Sequence, residues 1–299
     1  MSANIALILL NWNQWALTGE CLRLLQGLSS QRWVIWVVDN GSSQKPPAGF
    51  ETLHPTLRLL RLPENFGFTG GCNRGAEAAL KEGAEALVFL NNDARVSPDD
   101  LERLVRTLRD GYDILGGVNY RPSAPNLIFS TGQRFLWPLC RIQRLGALSQ
   151  TEIPQAVPSI IGSCFAVRRE VFERIGFFDE RFFIYYEESD FCLRAHSAGF
   201  RVACHPQVKV WHEGLTTFGD RSPAALYLYT RNLGLFAATH CPRPVLPFCF
   251  FSYALQVLLK SLYLLGKGGV LQARAVWIGF VDSLWCRFDK SRLDLFLKR

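Results

Sequence analysis

A mostly parallel α/β sheet flanked by helices, followed by a C-terminal helical appendage, is the fold the sequence predicts, and three observations predict it. The first 120 residues alternate short β-rich apolar runs with segments of helical spacing, the pattern of repeated strand–helix–strand units. Several of those runs end in polar residues: Asn11 and Asn13, Asp39 and Asn40, then Asn91, Asn92 and Asp93. From Pro244 onwards the composition changes to apolar and basic.

Taken in order, Ile5–Asn11 is an apolar run of strand length. It reads as a buried strand rather than a signal peptide, because it has no basic flank and no small-residue cleavage site. Residues 15–28 have helical spacing. Trp33–Asp39 is the next strand and stops at the turn cluster Asn40-Gly41-Ser42-Ser43. Residues 57–62 form a third strand, residues 69–82 an Ala-rich helix and Ala86–Asn91 a fourth strand. Ser97-Pro98-Asp99-Asp100 then opens a helix with an N-cap, Pro in the first turn and early acids. Residues 114–119 close this series. Residues 121–160 are Pro-rich and irregular, with short strands near 128–131 and 134–137. A strand at 163–167, a short helix at Arg169–Ile175, a helix at 186–198 ended by Gly199, an extended stretch at 202–212 and a helix at 224–240 follow.

Composition narrows the function classes. With 299 residues, 48% hydrophobic and 20% charged, the chain can bury a full core, and wholesale disorder is excluded. The nine cysteines include no CxxC pair and mostly sit in apolar runs such as Phe191-Cys192-Leu193. That pattern suits free thiols in a reducing, cytoplasmic setting and argues against a zinc ribbon. Residues 241–299 hold nine Lys or Arg and three Asp, a net +6 of the overall +7. A basic tail suits nucleic acid or an anionic membrane. No nucleic-acid recognition motif accompanies it.

The interleaved residues point instead to a membrane surface. Residues 245–265 are long enough to span a bilayer, but Gln256 and Lys260 interrupt them. Residues 271–296 alternate Trp277, Phe280, Leu284 and Trp285 with Arg274, Arg287, Lys290 and Arg292. This suits a helix lying in the interface of an anionic leaflet, so peripheral attachment at the inner face of the plasma membrane is expected.

Polar strand ends carry the chemistry. One such end is an ordinary turn, whereas three at one sheet edge, where ligands of such sheets bind, point to a site. Asp93 admits two readings: a ligand holding a hard cation against a diphosphate, or a cap for the helix that follows.

The runs Val37-Val38-Asp39-Asn40-Gly41-Ser42, Pro63-Glu64-Asn65-Phe66-Gly67-Phe68-Thr69-Gly70-Gly71-Cys72-Asn73-Arg74-Gly75 and Leu90-Asn91-Asn92-Asp93 resemble glycosyltransferase family 2. The likeness is to rhamnosyltransferase-like members that build bacterial surface polysaccharides. Gly162-Ser163-Cys164, Phe177-Phe178-Asp179-Glu180, Tyr185-Tyr186-Glu187-Glu188-Ser189-Asp190, His212 and Tyr229-Thr230-Arg231-Asn232 continue it in order. It covers roughly residues 4–240, and several ordered motifs make it specific.

The resemblance implies a GT-A-like, nucleotide-sugar-binding sheet and an inverting transfer from a UDP- or dTDP-sugar, with rhamnose as one candidate. The acceptor is a saccharide hydroxyl, on a lipid-linked oligosaccharide in bacterial polysaccharide (O-antigen) synthesis. Asp39 would accept the N3–H of uracil or thymine. Asn65, Gly67, Asn73 and Arg74 would lie near the nucleotide and sugar, beside Asn11, Asn13, Asn91 and Asn92. The family's Asp-x-Asp motif begins here with Asn91, leaving Asp93 as its one carboxylate, with His212 as a second group near Mg²⁺ or Mn²⁺. A structural role for His212 is the competing reading. Glu188 takes the position of the catalytic base, where the family usually has Asp, within a cluster that includes Glu187 and Asp190; an acid-rich first helical turn is the plainer account. Arg231 would meet a diphosphate or a lipid phosphate, or else be solvated.

The implied organisation is a catalytic domain over 1–240, with a nucleotide-binding half to 120 and an acceptor half from 121, and a membrane-associating tail over 241–299. Two other functions compete. A sugar-nucleotide pyrophosphorylase-type nucleotidyltransferase would need a Gly-rich, basic loop where Asn11-Trp12-Asn13-Gln14 stands. A non-catalytic nucleotide-sugar binder is hinted at by Glu188 alone.

Overall fold

Strands covered on both faces stay apolar along their whole length. β1 (Ile5–Asn11) and β2 (Trp33–Asp39) do so up to their last residue in the computed structural model, which describes residues 5–146, 152–213, 219 and 222–297. Ile5, Leu7 and Leu9 enter one layer with Trp33, Ile35 and Val37, while Ala6 and Ile8 enter the other with Trp36 and Val38. The other elements begin, in chain order, with α1 (Trp15–Leu24), β3 (Leu57–Arg61), α2 (Gly67–Lys81), β4 (Ala86–Asn91), α3 (Pro98–Arg109), β5 (Ile114–Arg121) and β6 (Ala124–Ser130). After these come β7 (Gly132–Leu136), β8 (Arg141–Leu145), β9 (Gln155–Ala156), β10 (Cys164–Arg168), α4 (Arg169–Ile175), α5 (Glu187–Ser197) and β11 (Val202–Trp211). Helices cover both faces: Leu22, Leu101 and Leu104 join the first layer, and Ala76, Ala79, Val171 and Phe172 the second.

Among the described residues the sheet has nine strands in the order β3-β2-β1-β4-β10-β5-β11-β9, with β6 on β5. β3, β2, β1 and β4 run parallel, as do β5 and β11. β10 enters antiparallel between β4 and β5. It follows the strands β6 to β9 rather than a helical crossover, so nothing constrains it to the parallel direction. Within the stretch expected to be irregular, β6 and β7 stand near the two short strands expected at 128–131 and 134–137, and β8 and β9 add to them. α3 begins as expected, with Ser97 Oγ accepting from Asp100 N at 3.1 Å. α2 begins two residues before the expected Thr69, because Asn40 and Asn65 side chains accept from the N–H groups of Phe66 (3.0 Å) and Gly67 (2.8 Å).

The chain divides into two compact units. One comprises Met1–Arg134, Arg144–Glu180 and Phe191–Glu213 and carries the sheet. The other comprises Phe135–Gln143, Arg181–Asp190 and Gly214–Arg299, so the expected boundary at residue 240 falls inside it. Its helices are α6 (Pro223–His240), α7 (Leu246–Gly266), α8 (Val270–Leu284) and α9 (Lys290–Leu297). The single helix expected over 271–296 is thus two. α8 stops where Cys286 adopts φ +53° and Arg287 N donates back to Asp282 O at 2.9 Å. The side chain of Lys290, counted in the basic tail, lies outside the described residues. All nine cysteines are free, and only Cys286 is exposed.

α8 lies directly on α6 through two glycines. A Cβ at Gly279 would sit 2.6 Å from Tyr227 O, and one at Gly234 would sit 2.5 Å from Ser283 Cβ. Gly279→Ala should therefore lower unfolding free energy by about 1–3 kcal/mol through overpacking. Gly266→Ala, with nothing within 4 Å of its Cβ, should cost nothing. Urea unfolding checks both; a Gly279→Ala variant as stable as the parent would contradict this packing.

Candidate active site

Parallel pairing sets Asn11 beside Asp39 and Leu10 beside Asn91, so the carboxyl ends of β2, β1 and β4 form a row. Asp39 is fully buried. Its Oδ1 accepts from Ser42 N at 3.1 Å and its Oδ2 from Arg61 Nε at 2.9 Å. Asn11 accepts from Thr18 Oγ1 at 2.9 Å and donates to Ser42 Oγ at 3.2 Å. Asn13, at φ +56°, accepts from Ser43 N at 2.8 Å. Together these bonds fix the 40–43 turn. Gly41 is required there: at φ +72° its Cβ would lie 2.3 Å from the Glu64 backbone.

Asn65 and Gly67 sit in the loop pressed against that turn. Asn40 Nδ2 donates to Asn65 Oδ1 at 3.0 Å and to Gly67 O at 2.9 Å. Sequence reasoning placed Asn40 at a strand end without assigning it a role, although its position next to Asp39 was the available signal. Asn73 and Arg74 turn toward the Phe178–Glu180 segment. Asn73 Nδ2 donates to Phe178 O (2.9 Å) and Glu180 Oε1 (3.1 Å), and its Oδ1 accepts from Phe178 N (3.0 Å). Arg74 Nη1 donates to Glu180 Oε1 at 2.8 Å, its guanidinium lying over Phe66.

Farther along the edge, Arg95 and Trp211 exchange backbone hydrogen bonds of 2.9 and 3.0 Å. This bridge brings Asp93 to His212, whose Nε2 is 3.1 Å from Asp93 Oδ1. The Asn91 amide lies 3.4 Å from the same nitrogen, and Asn92 Nδ2 donates to Thr18 Oγ1 at 3.0 Å. No cluster of three or more His, Cys, Asp or Glu side chains suited to a metal occurs among the described residues. One carboxylate and one imidazole side by side fit a divalent cation whose remaining ligands are phosphate oxygens and water.

In the other unit, three of the four residues from Phe183 to Tyr186 are non-glycines in the left-handed region: Phe183 (φ +64°), Tyr185 (+77°) and Tyr186 (+73°). Each costs on the order of 1–3 kcal/mol and persists only where its surroundings hold it. They lead directly into Glu187, Glu188 and Asp190 at the start of α5. Glu187 is buried, and its Oε2 has no hydrogen-bond partner among the described residues. Burial, and next the adjacent Glu188, push its pKa well above the ordinary 4.5. Glu188 is half-buried. Asp190 is buried and pairs with His240, Nε2 to Oδ1 2.8 Å. His240 left no trace in the sequence, because the pair joins the end of α6 to a distant motif. Arg231, expected near a phosphate, is 1% exposed and donates to backbone carbonyls of Arg181 (2.8 Å) and Phe182 (3.1 Å).

The profile described as "Glycosyl transferase family 2" matches residues 7–176, more than half of the chain. The chain belongs to glycosyl transferase family 2. It is therefore a sugar-transferring enzyme. It is 26% identical over 230 residues to the dTDP-rhamnosyl transferase RfbF of Shigella flexneri, covering 74% of this chain and 72% of that protein. It is 30% identical over 226 residues to the N-acetylglucosaminyl-diphospho-decaprenol L-rhamnosyltransferase of Mycobacterium tuberculosis, covering 66% and 72%. The mannosyltransferase PcManGT of Pyrobaculum calidifontis, solved with GDP-Man and Mn²⁺, has the same fold, with TM-score 0.58 at 17% identity over 96% of this chain and 88% of that one.

Glu187 makes the stability of this enzyme pH-dependent. With its folded pKa raised above 4.5, the folded state keeps a proton that the unfolded state releases. Stability is thus greatest at low pH on this account, and falls as pH rises from 4.5 toward the raised value. Glu187→Gln should flatten that decline, giving a variant that melts higher than the parent at pH 8 and not at pH 4. Equal slopes of melting temperature against pH for the two proteins would contradict a buried, protonated Glu187.

Proposed function

We propose that this family 2 enzyme transfers a sugar, with inversion, from a UDP- or dTDP-sugar to a hydroxyl of a lipid-linked saccharide at the cytoplasmic face of a bacterial membrane. The observation that carries the reading is the row of Asp39, Asn11, Asn91 and the Asp93–His212 pair along one sheet edge. Asp39 accepts the N3–H of the base, which a buried carboxylate suits because it has no proton to offer. Asp93 and His212 would hold Mg²⁺ or Mn²⁺, which when bound supplies positive charge to the departing diphosphate. Asn40, Asn65 and Gly67 keep the backbone at the start of α2 close to the donor. Asn73 and Arg74 act by holding Glu180.

The proton falls to Glu188. Burial and the adjacent Glu188 hold the Glu187 pKa well above its ordinary value, and Asp190 is engaged by His240. Glu188 takes the proton of the acceptor hydroxyl as that oxygen bonds to the anomeric carbon. The bond from that carbon to the diphosphate oxygen breaks, and its electron pair leaves with the nucleoside diphosphate. A single displacement inverts the anomeric centre. The two rhamnosyl-transferring relatives support a dTDP-rhamnose donor, and the decaprenol-linked relative supports a lipid-linked acceptor.

The membrane reading rests on the second unit. α7 is long and apolar enough to cross a bilayer, with mean hydropathy 1.6 over its most apolar window. Its inner face is committed to the protein: Tyr253 Oη donates to Thr230 O at 2.7 Å and Gln256 Nε2 to Leu139 O at 2.8 Å. Its outer face exposes Phe248 (67%) and Phe251 (71%), and α8 exposes Trp285 (69%). Such a patch on a protein-bound helix suits the headgroup boundary of an anionic leaflet rather than the bilayer centre, where Lys260 would cost about 2.5–3.5 kcal/mol.

Nucleotide release from a panel of UDP-, dTDP- and GDP-sugars with Mg²⁺ or Mn²⁺ tests the reaction. A UDP- or dTDP-sugar should be turned over, and Glu188→Gln should slow it by roughly 10²-fold or more with nucleotide affinity retained. Pyrophosphate release instead would mean a nucleotidyltransferase. For the surface, alkaline carbonate or high salt should strip the full-length protein from membranes; extraction by detergent alone would mean that α7 spans.

A further inference from the structure

Beyond the reaction proposed above, and resting on it, we propose that Arg231 and Asn232 are positioning residues that clamp the Arg181–Tyr185 backbone into the conformation from which Glu188 is presented. Both side chains are buried, Arg231 at 1% and Asn232 at 0% exposed, and both donate to the protein's own backbone. Their polar atoms converge on one short segment. Arg231 Nη2 reaches the carbonyls of Arg181 and Phe182, while Asn232 Nδ2 reaches those of Phe182 (2.7 Å), Ile184 (2.8 Å) and Tyr185 (3.0 Å). Arg231 Nε donates to Asn232 Oδ1 at 3.0 Å, so the two side chains form one rigid unit.

A left-handed turn built from phenylalanine and tyrosines aims several carbonyls at the same place. In a buried setting those carbonyls need donors, and water is not a required supplier here because a guanidinium and a carboxamide already deliver them. Burial lowers the pKa of the guanidinium, against which Tyr227 and the buried Asp282 act, Tyr227 Oη donating to Asp282 Oδ2 at 3.1 Å. Asp282 is carried by α8, which the glycine contacts seat against α6. From the other side, Tyr185 stacks on Tyr229 of α6 with ring centroids 4.0 Å apart and planes 8° from parallel. Residues 181–186 are thus held by one helix, α6, and the next residues in the chain are Glu187 and Glu188. Relaxing the turn would rotate the first turn of α5 and swing the Glu188 carboxylate away from the acceptor hydroxyl.

The test uses the full-length enzyme and the donor it turns over fastest. Arg231→Lys keeps charge without the planar fork, and Asn232→Ser keeps a single donor; both are milder than alanine. Each should lower kcat by about 10²-fold, as expected for a small displacement of a catalytic group. Donor KM and UDP or dTDP affinity should stay within about twofold, and melting should stay cooperative. The decisive arm is Asn232→Ser in a Glu188→Gln background. If Asn232 acts through Glu188, the added loss should be under about threefold, because residues that act as a unit are not additive. Full kcat in folded Asn232→Ser, a loss confined to UDP or dTDP affinity, or multiplied losses in the double variant would each overturn the proposal. Absence of sugar transfer by the unmodified enzyme would instead overturn the function it rests on.

Discussion

Strands that pair in parallel must all end on the same side of the sheet, and the donor site of this enzyme follows from that constraint. β1 pairs with β2 on one side and β4 on the other in a register that sets Asn11 beside Asp39 and brings Asn91 alongside. Continuous burial on both faces leaves these strands no freedom to slip, since a one-residue shift would exchange their two apolar layers. The polar residues at their ends are therefore delivered to fixed places. Short side-chain bonds among Asn11, Ser42, Asn40 and Asn65 then hold the two loops that line the edge. Asp93 and His212 come together by the same logic, through the backbone bridge between Arg95 and Trp211.

The second unit solves a different problem. Its acidic motif follows a turn that non-glycine residues adopt only under compulsion. The compulsion is polar and buried: Arg231, Asn232, Tyr227 and Asp282 satisfy one another and the carbonyls of the turn. A half-satisfied network of this kind would cost more than an apolar core. Close approach of α6 and α8 at Gly234 and Gly279 is what lets Asp282 reach it. The environment also separates two adjacent carboxyls, burying Glu187 and raising its pKa while leaving Glu188 half-exposed.

Much of the sheet was legible because its strands are unbroken apolar runs bounded by turn residues, and periodicity reads such runs directly. β10 was found as a strand, but its antiparallel entry was not, since direction depends on the connection rather than the local pattern. The strands near 128–131 and 134–137 were legible and correspond to β6 and β7, while β8 and β9, short and largely polar, were not. The tail helix was read as one because its apolar spacing continues through residues 285–289, and the left-handed Cys286 that breaks it carries no signature. Motif order put Asp39, Asp93 and His212 forward, and the structure sets Asp93 beside His212. The burial of Arg231 could not be read in advance, because an arginine in a helix looks alike whether it faces solvent or holds buried carbonyls. His240 was invisible for the same reason: its partner is set by tertiary packing.

The central claim is that the strand-edge row binds a nucleoside diphosphate together with a divalent cation. Calorimetric titration of the enzyme with UDP and dTDP, with and without Mn²⁺, tests it most directly. Mn²⁺ should tighten binding, Asp93→Ala should erase that gain while leaving metal-free affinity intact, and Asp39→Ala should weaken binding in both conditions by about 1.5–3 kcal/mol, the contribution of a hydrogen bond to a charged acceptor. An Asp93→Ala variant that keeps the full Mn²⁺ gain, or an Asp39→Ala variant with unchanged affinity, would contradict the account.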